Sequence, residues 1–321
     1  MDILSFLENN GSLIEPNKER RKKLIENVWK SFSNSKFLKE DAFYFVDNKE
    51  DTEIKIINLI LSQNEDVKNK IGNKIKYSSN FIRNLKVEYI HEIFDDVNII
   101  SYDELFDAFL LEILITCFYW AENVGNEKIE EKCFMNLFAI LEIYSVSKNV
   151  YSNNDINFTQ LSSTKMINLV MDCYWVIWTF IVSHEIGHFY LEHSDAKIST
   201  EEKEYQADKF AYSILINLIE KQSNQENYAN NKEIIEVYEN YTYLAPMILL
   251  DIFQLINFYK YTGCKFKDKN KKYKYIENRK EKMFDWFNNH CNIEIDTTLG
   301  NELYNNFLDV IGKFQKELME E

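Results

Sequence analysis

Proline and glycine are scarce: the chain has two prolines and seven glycines in 321 residues. So few turn formers argue against a sandwich or barrel of short strands and favour long helices joined by polar loops. Basic side chains are also short in supply, 37 against 52 acidic ones, for a formal net charge of −15. A surface of that sign repels a phosphate backbone, so no nucleic-acid partner is expected. The five cysteines (Cys117, Cys133, Cys173, Cys264, Cys291) are odd in number and form no C-x-x-C pair. Three of them stand in apolar stretches, where a reduced thiol acts as a small hydrophobe. That pattern argues against a disulfide framework and points to a reducing compartment. The opening Met1-Asp2-Ile3-Leu4 lacks a basic region leading into an apolar run, so no secretory signal is read there. Long apolar runs are missing too. Residues 107–120 are interrupted by Glu112, 169–182 contain Asp172, and 244–259 contain Pro246 and Asp251. None offers the roughly 18–20 uninterrupted apolar residues of a membrane span. All three read as buried core helices, and the expectation is a cytoplasmic protein with no membrane partner.

What is present is enough apolar and aromatic material for a substantial core, 45% and 15% of the chain. Leu24, Ile25, Val28, Trp29 and Phe32 fall near helical spacing and predict an amphipathic helix over 17–35. The runs 37–46 and 87–93 read as strands. Two helices are expected over 102–147, broken near Asn123-Val124-Gly125-Asn126, followed by a polar loop over 148–163. A long helix spans 166–192, apolar in its first half. After a loop, Ser199 is placed to cap a second helix, with Glu202 three residues on in a capping-box pattern. Further helices are expected over 233–243, 244–261 and 301–321. The basic, tyrosine-rich run 265–282 reads as a solvated surface, with a docking patch for an acidic partner as the sharper alternative and nucleic acid a distant third. The fold class is mainly α, with residues 1–100 as an N-terminal lobe that has room for a small β-sheet and 101–321 as the helical domain.

The chemistry concentrates in Ser183-His184-Glu185-Ile186-Gly187-His188. Two histidines four apart on a helix differ by about 40° of rotation and 6 Å of rise. Both imidazoles can therefore approach one metal ion, and Glu185 projects beside them, where it can act as general base on a water molecule. Zinc suits this donor set, because it polarises a carbonyl and lowers the pKa of water to about 7. A third ligand is available downstream in Glu204-Tyr205-Gln206-Ala207-Asp208-Lys209-Phe210-Ala211. Glu204, Asp208 and Ala211 share one face of the second helix. Glu204 can close a His₂Glu site, with Glu201 as its rival, and Asp208 can hydrogen-bond the outer nitrogen of a ligating imidazole. Ala207 and Ala211 are small enough to let the two helices pack closely. His193 is read either as a solvent-exposed histidine at the helix end or as a catalytic group stabilising the transition state. Tyr190, Tyr212 and Tyr243 are further candidates for that second role by residue type alone. His91, His290 and the Cys264…His290-Cys291 group lack ligand spacing.

The pair of motifs resembles the H-E-x-x-H plus E-x-x-A-D-x-x-A signature of gluzincin-type metallopeptidases. The resemblance implies zinc held by His184, His188 and Glu204, with Glu185 as general base. It also implies a zincin-like fold and a protein or peptide substrate. Among soluble members, the chain is similar to the Lit-type phage-exclusion peptidases in size and single-chain character. That likeness implies cleavage of a cytosolic protein in phage defence. The ImmA/IrrE-type peptidases resemble the same stretch, but usually carry asparagine where this chain has Asp208. A regulatory peptidase cutting a repressor, or a catalytically silent helical binding protein, are the alternatives.

Overall fold

Apolar residues at helical spacing, with few breakers between them, build a mainly helical protein. The computed structural model describes residues 56–62, 64–72, 74–80, 87–92, 97–142, 164–193, 196–223, 232–261, 269–290 and 298–320. A helical stretch at 56–62 precedes α1 (Glu65–Ile71), and strands β1 (Ile75–Asn80), β2 (Val87–Glu92) and β3 (Val97–Asp103) form one sheet in the order β1-β3-β2. Then come α2 (Glu104–Glu122), α3 (Glu127–Leu141), α4 (Thr164–Tyr190), α5 (Thr200–Ser223), α6 (Lys232–Tyr261), α7 (Lys269–His290) and α8 (Thr298–Glu320). The expected helix at 17–35 and strand at 37–46 lie outside the described residues.

The chain divides into two compact units, of which the first contains Tyr77–Glu88 and Ser101–Val170. Its described core is the packed pair α2 and α3, with Leu110, Ile113, Leu114 and Cys117 buried on one helix and Cys133, Leu137 and Leu141 on the other. The break between them falls at 123–126, where the sequence places it. Gly125 takes φ +91°, which a residue without Cβ adopts freely, and the Asn126 side chain accepts the Ile129 N–H to cap α3.

The second unit comprises Ile54–Lys76, Tyr89–Ile100 and Met171–Glu321, and it holds the candidate site. Within it α6 packs on α5, α7 and α8, and α7 packs on α5. Phe307, Val310, Ile311 and Phe314 recur at three- and four-residue steps along α8 and are all buried, so an amphipathic stripe fixes that helix. The sequence suggests two helices over 233–261, but α6 runs through unbroken with Pro246 inside it. Residues 244–250 are all buried, and packing on that scale holds the helix across the missing N–H. Among the described residues, one segment is long and apolar enough to cross a membrane, Leu169–Tyr190 in α4. Asp172 interrupts its apolar run, but its length and mean hydropathy suffice, so the expectation of no such segment is corrected. Burial of 72% of its most apolar window inside the protein is what a core helix shows.

Two contacts set where α4 ends and how near α5 comes. Lys70 on α1 donates from Nζ to the Tyr190 carbonyl at 2.7 Å and pairs with Glu192 at 2.9 Å, so a cation sits at the negative end of the α4 dipole. Gly187 faces α5 so closely that an added Cβ would lie 3.0 Å from Phe210 Cδ1 and 3.3 Å from Ala207 Cα. Gly187→Ala is therefore expected to overpack this contact at a cost of about 1–3 kcal/mol. Urea denaturation checks it, and a midpoint equal to wild type would show that the helices part without strain.

Candidate metal centre

The last two turns of α4 carry His184, Glu185 and His188, all buried. Helical spacing stacks the two imidazoles edge to face with centroids 4.8 Å apart and brings their Nε2 atoms to 3.1 Å. Opposite them stands the first half of α5, started by Ser199, whose Oγ accepts the Glu202 N–H at 3.2 Å. Glu204 on this helix puts Oε2 3.4 Å from His184 Nε2 and Oε1 3.6 Å from His188 Nε2. Among the described residues, His184, His188 and Glu204 are the group that could hold a metal ion. Glu201, the rival in sequence, is exposed in the first turn of α5.

The three donors fit a small cation. Ligands at 2.0–2.1 Å in tetrahedral array stand about 3.3 Å from one another. The observed separations of 3.1, 3.4 and 3.6 Å bracket that value. Charge agrees with geometry. Burial works against a charged His184 ring, yet hydrogen bonds to Asp208 and Glu204 outweigh it and lift the imidazole to about 10. His188 goes the other way, since burial and then the neighbouring His184 charge hold it at about 3. Burial pushes the Glu204 carboxyl up, but the His184 hydrogen bond and charge keep it below its ordinary value. A carboxylate and a neutral imidazole thus surround a point that already draws a proton, which is the electrostatics of a cation site.

Asp208, fully buried, lies one turn past Glu204 with Oδ1 2.8 Å from His184 Nδ1. A carboxylate on the outer nitrogen fixes the ring and leaves Nε2 facing the donors. Sequence reasoning did not find what holds Asp208 itself. Arg279 of α7 grips it with two hydrogen bonds, Nε to Oδ2 at 2.9 Å and Nη2 to Oδ1 at 2.8 Å. Its Nη1 also lies 3.5 Å from Glu204 Oε2. Burial raises the Asp208 carboxyl, but the Arg279 charge and the His184 contact overcome this and hold it at about 2. Arg279 and Lys280 belong to the run read as a solvated surface. Both are largely buried instead, Lys280 against Asp251 at 2.5 Å, while Lys274 and Lys282 of the same helix are exposed. Tyr275 stands 5.7 Å from the Arg279 guanidinium, and burial pushes its phenol up to about 12.

His193 follows a turn in which Glu192 adopts φ 55°, the Glu192 N–H bonds to the Phe189 carbonyl and the His193 N–H to the His188 carbonyl. That is a Schellman ending, and it folds the chain back along α4. His193 is consequently 1% exposed, with its Nδ1 2.8 Å from His188 Nδ1 and its Nε2 3.2 Å from Gln206 Oε1. Gln206 is a second site neighbour that spacing did not single out. Tyr212 is sealed among Phe180, Trp286 and Phe287, and Tyr190 packs on Phe210 under Lys70. His290 is exposed, with Nδ1 2.9 Å from the Trp286 carbonyl. The side chains of Tyr243 and His91, like Cys264 and Cys291, lie outside the described residues. Cys117, Cys133 and Cys173 are free and buried.

A buried glutamate thus stands beside a donor set that could hold a metal ion, backed by an arginine–aspartate pair. The family Peptidase U49 matches residues 91–288, more than half of the chain and every site residue just described. The chain belongs to that family: it is a peptidase, and its substrate is a protein or peptide. Neither the curated proteins nor the solved structures offer a match to it.

Proposed function

We propose that this peptidase is a zinc-dependent endopeptidase of the gluzincin kind, with His184, His188 and Glu204 as metal ligands and Glu185 as general base. The observation that supports it most is the convergence of the two Nε2 atoms and the Glu204 carboxylate within 4.8 Å, next to a buried Glu185. When bound, zinc supplies a Lewis acid for the scissile carbonyl and makes a nearby water more acidic. Glu185 takes a proton from the attacking water and returns it to the leaving amine. Asp208 holds the His184 ring in register, and Arg279 keeps Asp208 ionised. Water attack breaks the amide bond and yields a carboxylate and an amine, with no further reactant required.

The resemblance to Lit-type phage-exclusion peptidases favours a cytoplasmic enzyme that cuts a cytosolic protein at a restricted site during phage defence. Zinc-loaded protein incubated with a bacterial cytosolic extract should generate a small set of new N-termini, read by terminal-peptide mass spectrometry. Chelation should abolish them and added zinc restore them. Cleavage that survives chelation, or no new termini at all, would sink this reading.

A further inference from the structure

We infer that His193 is the positioning residue for His188, the first link of a hydrogen-bonded relay from His188 through His193 and Gln206 to Glu202. The inference rests on the metal-site reading above, because its direction follows from which nitrogen of His188 must stay bare. A ligating Nε2 carries no proton, so the neutral His188 ring carries its hydrogen on Nδ1. That N–H points at His193 Nδ1, 2.8 Å away, which must then accept. The neutral His193 ring therefore has its hydrogen on Nε2, where Gln206 Oε1 waits as an acceptor at 3.2 Å. The Gln206 amide nitrogen in turn donates to Glu202 Oε1 at 3.1 Å. Every donor in the series meets an acceptor, and reversing any one link would leave two like groups facing.

The backbone holds this relay from both ends. The Schellman ending of α4 brings the His193 ring back onto His188, and Lys203 Nζ donates to the His193 carbonyl, joining that turn to α5. Gln206 and Glu202 are one turn apart on α5, so they line up along the helix. Both nitrogens of His193 are engaged behind His188, on the opposite edge from its Nε2. The residue thus acts through His188 and does not reach substrate. The two ligating histidines then have unlike supports: His184 leans on an aspartate clamped by arginine, and His188 leans on a neutral imidazole and amide.

Two measurements on the full-length chain test this. Long-range proton–nitrogen NMR of zinc-loaded wild type should show His188 protonated at Nδ1 and His193 at Nε2. A hydrogen on His193 Nδ1 overturns the relay. In a zinc competition titration, His193→Leu should bind about 10- to 100-fold more weakly than wild type. His193→Asn, whose amide oxygen reaches the place of Nδ1, should recover most of that loss. Wild-type affinity in His193→Leu, or no recovery in His193→Asn, overturns the proposal. Were wild type to take up no zinc, the metal reading and the direction of the relay would fall together, whereas zinc bound with a hydrogen on His193 Nδ1 overturns the relay alone.

Discussion

Glu185→Gln should lose turnover by a factor of about 10² to 10⁴ while binding zinc as tightly as wild type. Gln keeps the size and polarity of the side chain but cannot take a proton from water. Glu185 is not one of the three residues whose donor atoms converge, so its removal leaves His184, His188 and Glu204 in place. The split between the two readouts is the informative part. A helix that kept its histidines for packing alone would show no activity to lose. A Glu185 that ligated the metal would lose zinc along with turnover. Cleavage of a defined substrate and zinc titration on the same preparation separate these outcomes.

Arg279→Met should be the most destabilising single change at the site, by about 3–5 kcal/mol, because it strands a buried carboxylate. Asp208 is fully buried, and its two oxygens receive three nitrogen contacts, two of them from Arg279. Arg279→Lys should rescue little, since an ammonium cannot reproduce the two-pronged grip of a guanidinium. The pH dependence has a definite sign. Asp208 is held at about 2, below the ordinary carboxylate value of about 3.9. Its contribution to stability is therefore complete above about pH 4 and is lost as pH falls through 2. In Arg279→Met that acid limb should move to higher pH. Urea denaturation at pH 7 and pH 4 measures both effects. A variant as stable as wild type would mean that His184 alone satisfies Asp208.

The α4–α5 half of the site is legible in the sequence because its geometry is local. His184 and His188 are one turn apart, Glu204 and Asp208 are one turn apart, and Ser199 marks where α5 begins. The remainder is not local. Arg279 reaches Asp208 from 71 positions away, out of a basic segment in which Lys274 and Lys282 do face solvent, and nothing in its spacing marks it for burial. Of the two readings of His193, the exposed helix end fails for a different reason. A Schellman ending usually announces itself by glycine at the left-handed position, but here Glu192 occupies it at φ 55°, so an exposed helix end was the natural expectation. The break expected between 243 and 244 is absent, and a helix long and buried enough can also carry Pro246, a residue that would end a shorter one.

The most direct test of the account is the metal content of purified wild type beside His188→Ala, by inductively coupled plasma mass spectrometry. The His₂Glu reading predicts about one zinc per chain in wild type, lost in the variant, since a catalytic zinc keeps three protein ligands and removing one undoes the site. Wild type free of metal after purification under zinc-replete conditions, or equal zinc in both proteins, would contradict it.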